Sequence, residues 1–413
     1  MRALILGGGF AGTTTAFLLR RAGWGVTLIE KEAHLGGGCR TFFHAGHPFT
    51  YGPRLYYGYS AKVWEWMNRF VPIRRFPFEL RTLAHEPDDA ARRFWSYPPH
   101  EDDLARYPRA AQSATERDAL KSGPIWCANG EAPADLHEYW LQRVGPTIYD
   151  MFVDHYSKKM WMVEDNRVFD IFKWSAKDRP IESGTRDAYK GSFIGYPVPA
   201  DGYNRYFDAM TEGVEVIYRA EFARLNQADG TIHVTPEDEE DQDEFWGDVT
   251  ISTIPIDELC GYALGELPYA GRDFHLLVLP CRQIFPGDVR FCHYASPRDE
   301  WTRVTEFKKI TYHESEDTLL VLEKPSRANK LYPYLTKANE AKVREYLAML
   351  PPNVHSIGRL GTYKYSTIEN TIAQAFACAA KILGKPSPEG CEGEFFAIGD
   401  KAMIPKDRKE SAL

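Results

Sequence analysis

A chain of 413 residues exceeds one simple core and suits two or three domains, and its 44% hydrophobic residues can fill cores of that size. A formal net charge of −8 argues against a nucleic-acid binder, and no run reaches the roughly eighteen apolar residues of a membrane span. Seven cysteines, odd in number and without C-x-x-C or Cys/His zinc spacing, point to reduced thiols, a cytoplasmic setting and no metal centre.

The first elements carry the strongest motif. Residues 3–12 read Ala-Leu-Ile-Leu-Gly-Gly-Gly-Phe-Ala-Gly. The apolar run ends in Gly7, Gly9 and Gly12, and a helical pattern follows to about Arg21. A second apolar run, 26–29, ends at Glu30. This is the order of a dinucleotide-binding βαβ unit, with an acid about twenty residues past the glycines. Gly7 permits the tight turn, Gly9 leaves the backbone open to a pyrophosphate, and Gly12 lets helix and strand pack closely. The helix N-terminus offers N–H groups and a positive dipole end to the phosphates. Glu30 is placed to accept hydrogen bonds from a ribose. Cofactor contacts are expected from Gly7, Gly9, Phe10, Ala11, Gly12, Glu30 and Lys31. The glycines make the run a strand and not a signal peptide.

A second cluster, Gly36-Gly37-Gly38, follows. Glycine without a Cβ suits close backbone approach to a cofactor. NAD-dependent dehydrogenases usually lack such a run, and flavoproteins of the glutathione-reductase type usually have it. FAD is therefore expected over NAD, with Gly37 and Gly38 in contact.

Residues 59–160 read as mostly helical, with patterns near 61–70, 101–122 and 134–156. Residues 163–190, polar and charged with Gly184, suggest a mobile loop. A helix is expected over 203–212, a strand over 215–218, an exposed acidic turn over 237–244 and a β-branched strand over 248–254. Alternation across 272–323 predicts an antiparallel sheet. Residues 359–383 open on a Gly-containing turn and become a long helix ending near Gly384. The expected fold is α/β. A Rossmann-like FAD-binding domain of glutathione-reductase type (1–58, about 203–270 and 350–413) is interrupted by a helical substrate-binding insertion (about 59–190) and an antiparallel β-sheet domain (about 271–349).

Several segments in order resemble the UDP-galactopyranose mutase family of flavoenzymes. Gly-Arg-Leu-Gly-Thr-Tyr-Lys-Tyr at 358–365 resembles that family's G-R-L-x-x-Y-K-Y. Tyr-Ser-Lys-Lys-Met-Trp at 156–161 resembles Y-T-x-K-Q-W, and Trp-Thr-Arg-Val-Thr-Glu at 301–306 resembles Y-T-R-x-x-E. Glu323-Lys324-Pro325 is similar to E-Y-P, Thr-Ile-Pro-Ile-Asp at 253–257 to T-G-P-I-D, and 196–203 more loosely to P-x-G-G-Y. Three departures stand out. The family's Y-G-A-H-x-F-H is here Tyr51-Gly52-Pro53-Arg54-Leu55-Tyr56-Tyr57, so Arg54 replaces the flavin-side histidine. The acid after Y-K-Y is Thr367, and the Gln before the tryptophan is Met160. They lie near the cofactor and sugar pocket and point to a nucleotide sugar other than a galactose one.

The resemblance implies an isomerisation with no net redox change. Reduced FAD attacks the anomeric carbon through N5, the nucleoside diphosphate leaves, and the sugar ring reopens and recloses. It implies phosphate contacts from Arg303 and Arg359, with Arg179 in the proposed loop as a third, since a guanidinium fork matches phosphate oxygens. Tyr332, Tyr365 and Tyr189 match its phosphate-binding tyrosines. Tyr156 would stack on the nucleobase and Trp161 would line the sugar pocket. Arg359 and Thr367 fall among the cofactor contacts, and Arg54 beside the flavin or on the sugar. Arg303, Arg359, Tyr365 and Arg54 are the catalytic candidates. His44 and His47 read as loop residues. The family's bacterial members imply a homodimer. An FAD-dependent oxidoreductase of amine-oxidase type, which shares the N-terminal fingerprint, is the alternative.

Overall fold

The computed structural model describes residues 1–85, 91–97, 99–106, 115–116, 133–172, 184–189, 191–237 and 242–384. Arg179, with residues 173–183 and 190 of the expected loop and most of the expected 101–122 helix, lies outside these residues. So do part of the 237–244 acidic run and everything after Gly384.

The N-terminal strand β1 (Arg2–Leu6), helix α1 (Phe10–Arg21) and strand β2 (Gly25–Ile29) form the βαβ unit. A five-stranded parallel sheet runs in the order Glu215–Ile217, β2, β1, Val249–Ser252, Val354–Ser356. Leu4, Ile5, Leu28 and Ile251 are buried, as expected for parallel strands covered on both faces. α1 packs on the C-terminal helix Ile368–Leu383 and on Asn204–Thr211. The sheet's strands come from distant parts of the chain, so one parallel layer is assembled from segments separated by residues 30–214, 218–248 and 253–353.

The second sheet has seven strands. Their order is Tyr332–Pro333, Tyr269–Leu279, Thr318–Ser326, Arg303–Glu306, Phe291–Tyr294, Arg81–His85, Arg92–Ser96. All neighbours are antiparallel except Phe291–Tyr294 with Arg81–His85. The last two strands correct the expectation of a mostly helical 59–160. Thr82 is buried there by pairing with His293, about 200 residues away, and Trp95 by pairing with Thr82 in turn, and no local pattern announces the distant partner.

The helical layer is real but shorter. Ala61–Phe70 is a helix. The expected 134–156 helix is split. Leu136–Tyr149 is capped by Asp135, which accepts from the Glu138 N–H, and is interrupted at Gly145 (φ +78°) before Pro146. Proline has no N–H to continue the ladder and clashes with the preceding turn. A π-turn, Asp150–Asp154, then leads into the helix His155–Trp161. Among the described residues, no helix is long and apolar enough to cross a membrane.

Candidate functional site between the glycine cradle and the arginine row

The first half of the site is backbone. Gly7 sits at φ +93°, where a side chain is strained, and an added Cβ would meet the Thr253 hydroxyl at 2.2 Å. At Gly12 a Cβ would lie 2.0 Å from the Gly7 carbonyl oxygen, so only glycine lets α1 start this close to β1. Gly9 is different. Its φ of −77° suits any residue and nothing lies within 4 Å of an added Cβ. Gly9 also caps α1 without a side-chain hydrogen bond, so the N–H groups of the first turn face that open space. The second glycine cluster is tied to the first, because the Gly36 N–H donates to the Gly8 carbonyl at 2.9 Å. Gly37 opens on free space, while Gly38 faces the Arg54 guanidinium. A cradle with these open glycines and an uncapped helix end fits a dinucleotide.

Glu30 directly follows β2 and is buried. Its carboxylate accepts from the Gly8 N–H at 2.7 Å and the Glu32 N–H at 3.0 Å. Burial raises its pKa, against the pull of those two bonds. Phe10 points into an aromatic cluster with Tyr203, Tyr206 and Phe207 and offers the cradle only its backbone. Ala11 is buried under Gly358 and Lys31 is exposed. The Thr367 hydroxyl caps the C-terminal helix in a reciprocal box with Asn370, so it is occupied in shaping the helix end.

The second half of the site lies on one face of the seven-stranded sheet. Cross-strand pairing places Phe274, Glu323, Arg303 and His293 in a single row. Arg272 is one step along the same face, because alternate residues share a face. Tyr332, on the edge strand, pairs with Ala270. Glu323 receives both Nε and Nη2 of Arg303 at 2.7 Å, a two-point ion pair with the carboxylate 1% exposed. Gly52 marks where the halves meet. A Cβ there would lie within 4 Å of Arg303, Glu323 and Arg54.

Tyr332 is the centre of this cluster. Its ring stacks on Tyr365 at 5.6 Å and 21°. The guanidiniums of Arg272 and Arg359 lie over it at 5.1 and 5.4 Å. Burial pushes its phenol up, but Arg54, Arg303 and Arg272 outweigh burial and bring it down to about 8. Burial likewise opposes the charge on Arg54 and on Arg303. Tyr332, Cys39 and Glu323 hold the Arg54 guanidinium charged, and Glu323 above all holds Arg303. Burial raises the phenols of Tyr156, Tyr189 and Tyr365.

Arg359 donates to the Ser366 carbonyl at 2.6 and 3.1 Å and to the Leu331 carbonyl at 3.4 Å, and so bridges the two units. Arg54 donates Nε to the Gly38 carbonyl at 3.1 Å. Both guanidiniums are anchored on backbone oxygens. The helix His155–Trp161 covers the row. Tyr156 stacks on His293 at 4.9 Å, and Trp161, fully buried, meets the edge of Tyr332. Lys159 straps this helix to the sheet by donating to the carbonyls of Tyr294, Ser296 and Asp299 at 2.7–2.8 Å. Tyr189 packs on Tyr57 and Phe78 at the rim. Tyr156, Trp161, Tyr189, Arg303, Tyr332 and Tyr365 thus line one cavity, as does Met160. Arg54 and Arg359 stand at its cradle side.

Sequence reasoning missed Arg272 and His293 as lining residues and named Glu323 only within a motif. The available signal was strand parity. In Tyr269–Leu279 and Phe291–Tyr294, Arg272 and His293 are polar residues in line with the apolar inward positions Phe274 and Phe291.

The profile of the UDP-galactopyranose mutase family matches residues 151–365, and that of an NAD(P)-binding Rossmann-like domain matches residues 5–70. The chain is 26% identical over 399 residues to the probable UDP-galactopyranose mutase of Klebsiella pneumoniae, across 92% of this chain and 94% of that protein. It is 28% identical over 393 residues to the dTDP-fucopyranose mutase of Escherichia coli, across 92% and 97%. The crystal structure of reduced UDP-galactopyranose mutase superposes with a TM-score of 0.75, covering 93% of this chain and 95% of that one. At 14% identity, that likeness establishes a common fold.

Proposed function

This chain belongs to the UDP-galactopyranose mutase family, and from that membership we propose that it interconverts the pyranose and furanose forms of a nucleotide-diphosphate sugar, with FAD as the cofactor, active when reduced. The observation that carries the reading is the arginine row facing the glycine cradle. Arg54, Arg303 and Arg359 converge with the Tyr332–Tyr365 stack on one cleft in which Glu323 answers Arg303. Such an excess of fixed cationic charge suits a diphosphate that leaves and returns.

The bound reduced flavin would supply a nucleophilic nitrogen for the anomeric carbon, with no net change of oxidation state. The chain's own residues do the rest. Arg303 and Arg359 hold the diphosphate and stabilise the negative charge that grows as the glycosidic bond breaks. Tyr332 and Tyr365 donate to its oxygens. Tyr156 stacks on the nucleobase, Trp161 lines the sugar end, and both exclude water under the covering helix. Arg54, anchored on the Gly38 carbonyl, stands at the junction of cradle and row, where it favours an anionic partner on either side. The same charge weighs against the amine-oxidase alternative, because an ammonium substrate would enter a site already rich in guanidinium.

The test is turnover by the reduced holoenzyme on a panel of UDP- and dTDP-hexoses, with furanose product followed by chromatography and reductant by absorbance. Many turnovers per reducing equivalent are expected. Consumption of one equivalent per product would overturn the proposal in favour of an oxidoreductase.

A further inference from the structure

Arg272 belongs to none of the motifs behind the functional reading, yet it is a buried guanidinium that lines the cleft. The residue is 3% exposed. Its guanidinium donates Nη1 to the carbonyl of its own neighbour Gly271 at 2.5 Å. Among the described residues no carboxylate pairs with it, because Glu323, the acid in the row, is engaged at both oxygens by Arg303. A buried cation without a counter-charge is costly. A chain that keeps one has a use for the charge that folding alone does not supply.

The backbone beneath it is held fixed. The Arg272 N–H donates to Asn329 Oδ1 at 3.0 Å, and Asn329 Nδ2 donates to the Arg272 carbonyl at 2.8 Å. At Gly271 a Cβ would lie 2.2 Å from the Asn329 carbonyl oxygen, so the preceding residue has to be glycine for this clamp to close. The side chain then projects along the row, over the Tyr332 ring, into the cavity that Arg303 and Tyr365 also line. Preorganised charge of this kind costs little reorganisation when an anion arrives.

We infer that Arg272 is a phosphate-binding residue of this site, an arginine that contacts the diphosphate of the nucleotide sugar from the sheet side, opposite Arg359 and Arg54. The inference rests on the mutase reading and deepens it. The clamp by Asn329 fixes the direction of the guanidinium, and the diphosphate supplies the counter-charge that the row lacks.

Calorimetric titration of the FAD-loaded protein with UDP, dTDP, uridine and thymidine tests it. Arg272→Gln is expected to weaken binding of the two diphosphates at least tenfold and to leave the neutral nucleosides within twofold, with Arg272→Lys recovering part of the loss. The salt dependence of diphosphate binding is expected to flatten in Arg272→Gln, since one fewer cation meets the phosphates. The melting temperature of that variant is expected to hold or rise, because an unpaired buried charge has been removed. Unchanged diphosphate affinity in Arg272→Gln, with the unaltered protein binding normally, overturns this inference alone. Equal losses for nucleosides and diphosphates also overturn it, by showing a merely structural role. Failure of the unaltered protein to bind any of these diphosphates overturns both this inference and the mutase reading.

Discussion

Arg303 does two things that a single substitution will disturb together. It holds the buried Glu323 through two 2.7 Å bonds, and it lines the cavity. Arg303→Ala is therefore expected to weaken nucleoside diphosphate binding by about 1.5–3 kcal/mol. It should also lower stability by about 3–5 kcal/mol, because a buried carboxylate is left unpaired. Adding Glu323→Ala should restore most of the stability and none of the affinity, which calorimetry and chemical denaturation on the two variants will separate. Tyr332 gives a pH signature. Its phenol is held at about 8 instead of 10.0 by Arg54, Arg303 and Arg272, against the opposing effect of burial. The folded protein thus releases this proton before the unfolded chain does. The stability it contributes is complete above pH 10 and is lost as pH falls through 8. NMR of tyrosine labelled at the ζ-carbon should show one resonance titrating near pH 8, absent in Tyr332→Phe and moved upward by bound UDP or dTDP. A resonance that titrates only near 10 would refute the arginine account. Arg303 was legible because its neighbours form a motif, and Tyr332 because it matches a phosphate-binding tyrosine of the family. Arg272 was not, because its placement depends on a cross-strand register that only folding sets.

At the scale of elements, the start of α1 separates glycines needed by the fold from those a ligand needs. Gly12 has the Gly7 carbonyl at 2.0 Å from a virtual Cβ, whereas Gly9 has nothing within 4 Å. Gly12→Val should therefore prevent stable folding. Gly9→Val should fold with a melting temperature within a few degrees of the parent apoprotein, yet purify without flavin. A yellow Gly9→Val protein would contradict the cradle as drawn. The strap at Lys159 is a second element-level device, three carbonyls around one ammonium. Lys159→Met should cost about 3 kcal/mol through lost charge-assisted bonds, measured by denaturation, and should raise KM more than it lowers kcat, because Tyr156 and Trp161 ride on the detached helix. The βαβ unit, Ala61–Phe70 and the C-terminal helix were readable from local periodicity. The strands Arg81–His85 and Arg92–Ser96 were not, since each is short and gains its burial from a sheet built by residues 269–333. The break at Gly145-Pro146 carried a local signal that helical periodicity on either side had masked.

Across the whole molecule, the cleft is a seam between two units that the chain crosses repeatedly. The parallel-sheet unit contributes Arg54, Arg359 and Tyr365, and the seven-stranded sheet contributes Arg272, Arg303 and Tyr332. Net charge says nothing of this, because the chain as a whole carries −8 while the seam gathers guanidiniums. The order of motifs along the sequence pointed to such a seam without fixing which faces meet there, since that depends on how two separately assembled sheets dock. A ligand that touches both sides should stabilise the assembly and not just one unit. At a hundred times its dissociation constant, a nucleoside diphosphate adds about 2.7 kcal/mol. With an unfolding entropy near 2.1 cal/mol/K per residue, a chain of 413 residues should then melt about 3 °C higher. Inorganic pyrophosphate, which carries the charge without the base, should move the transition in the same direction at millimolar concentration. Scanning calorimetry of the FAD-loaded protein should show a single transition displaced upward by UDP or dTDP. If those ligands displaced only the part of the transition that FAD itself displaces, the anion would be bound by the glycine cradle alone, and the arginine row would have no share in it.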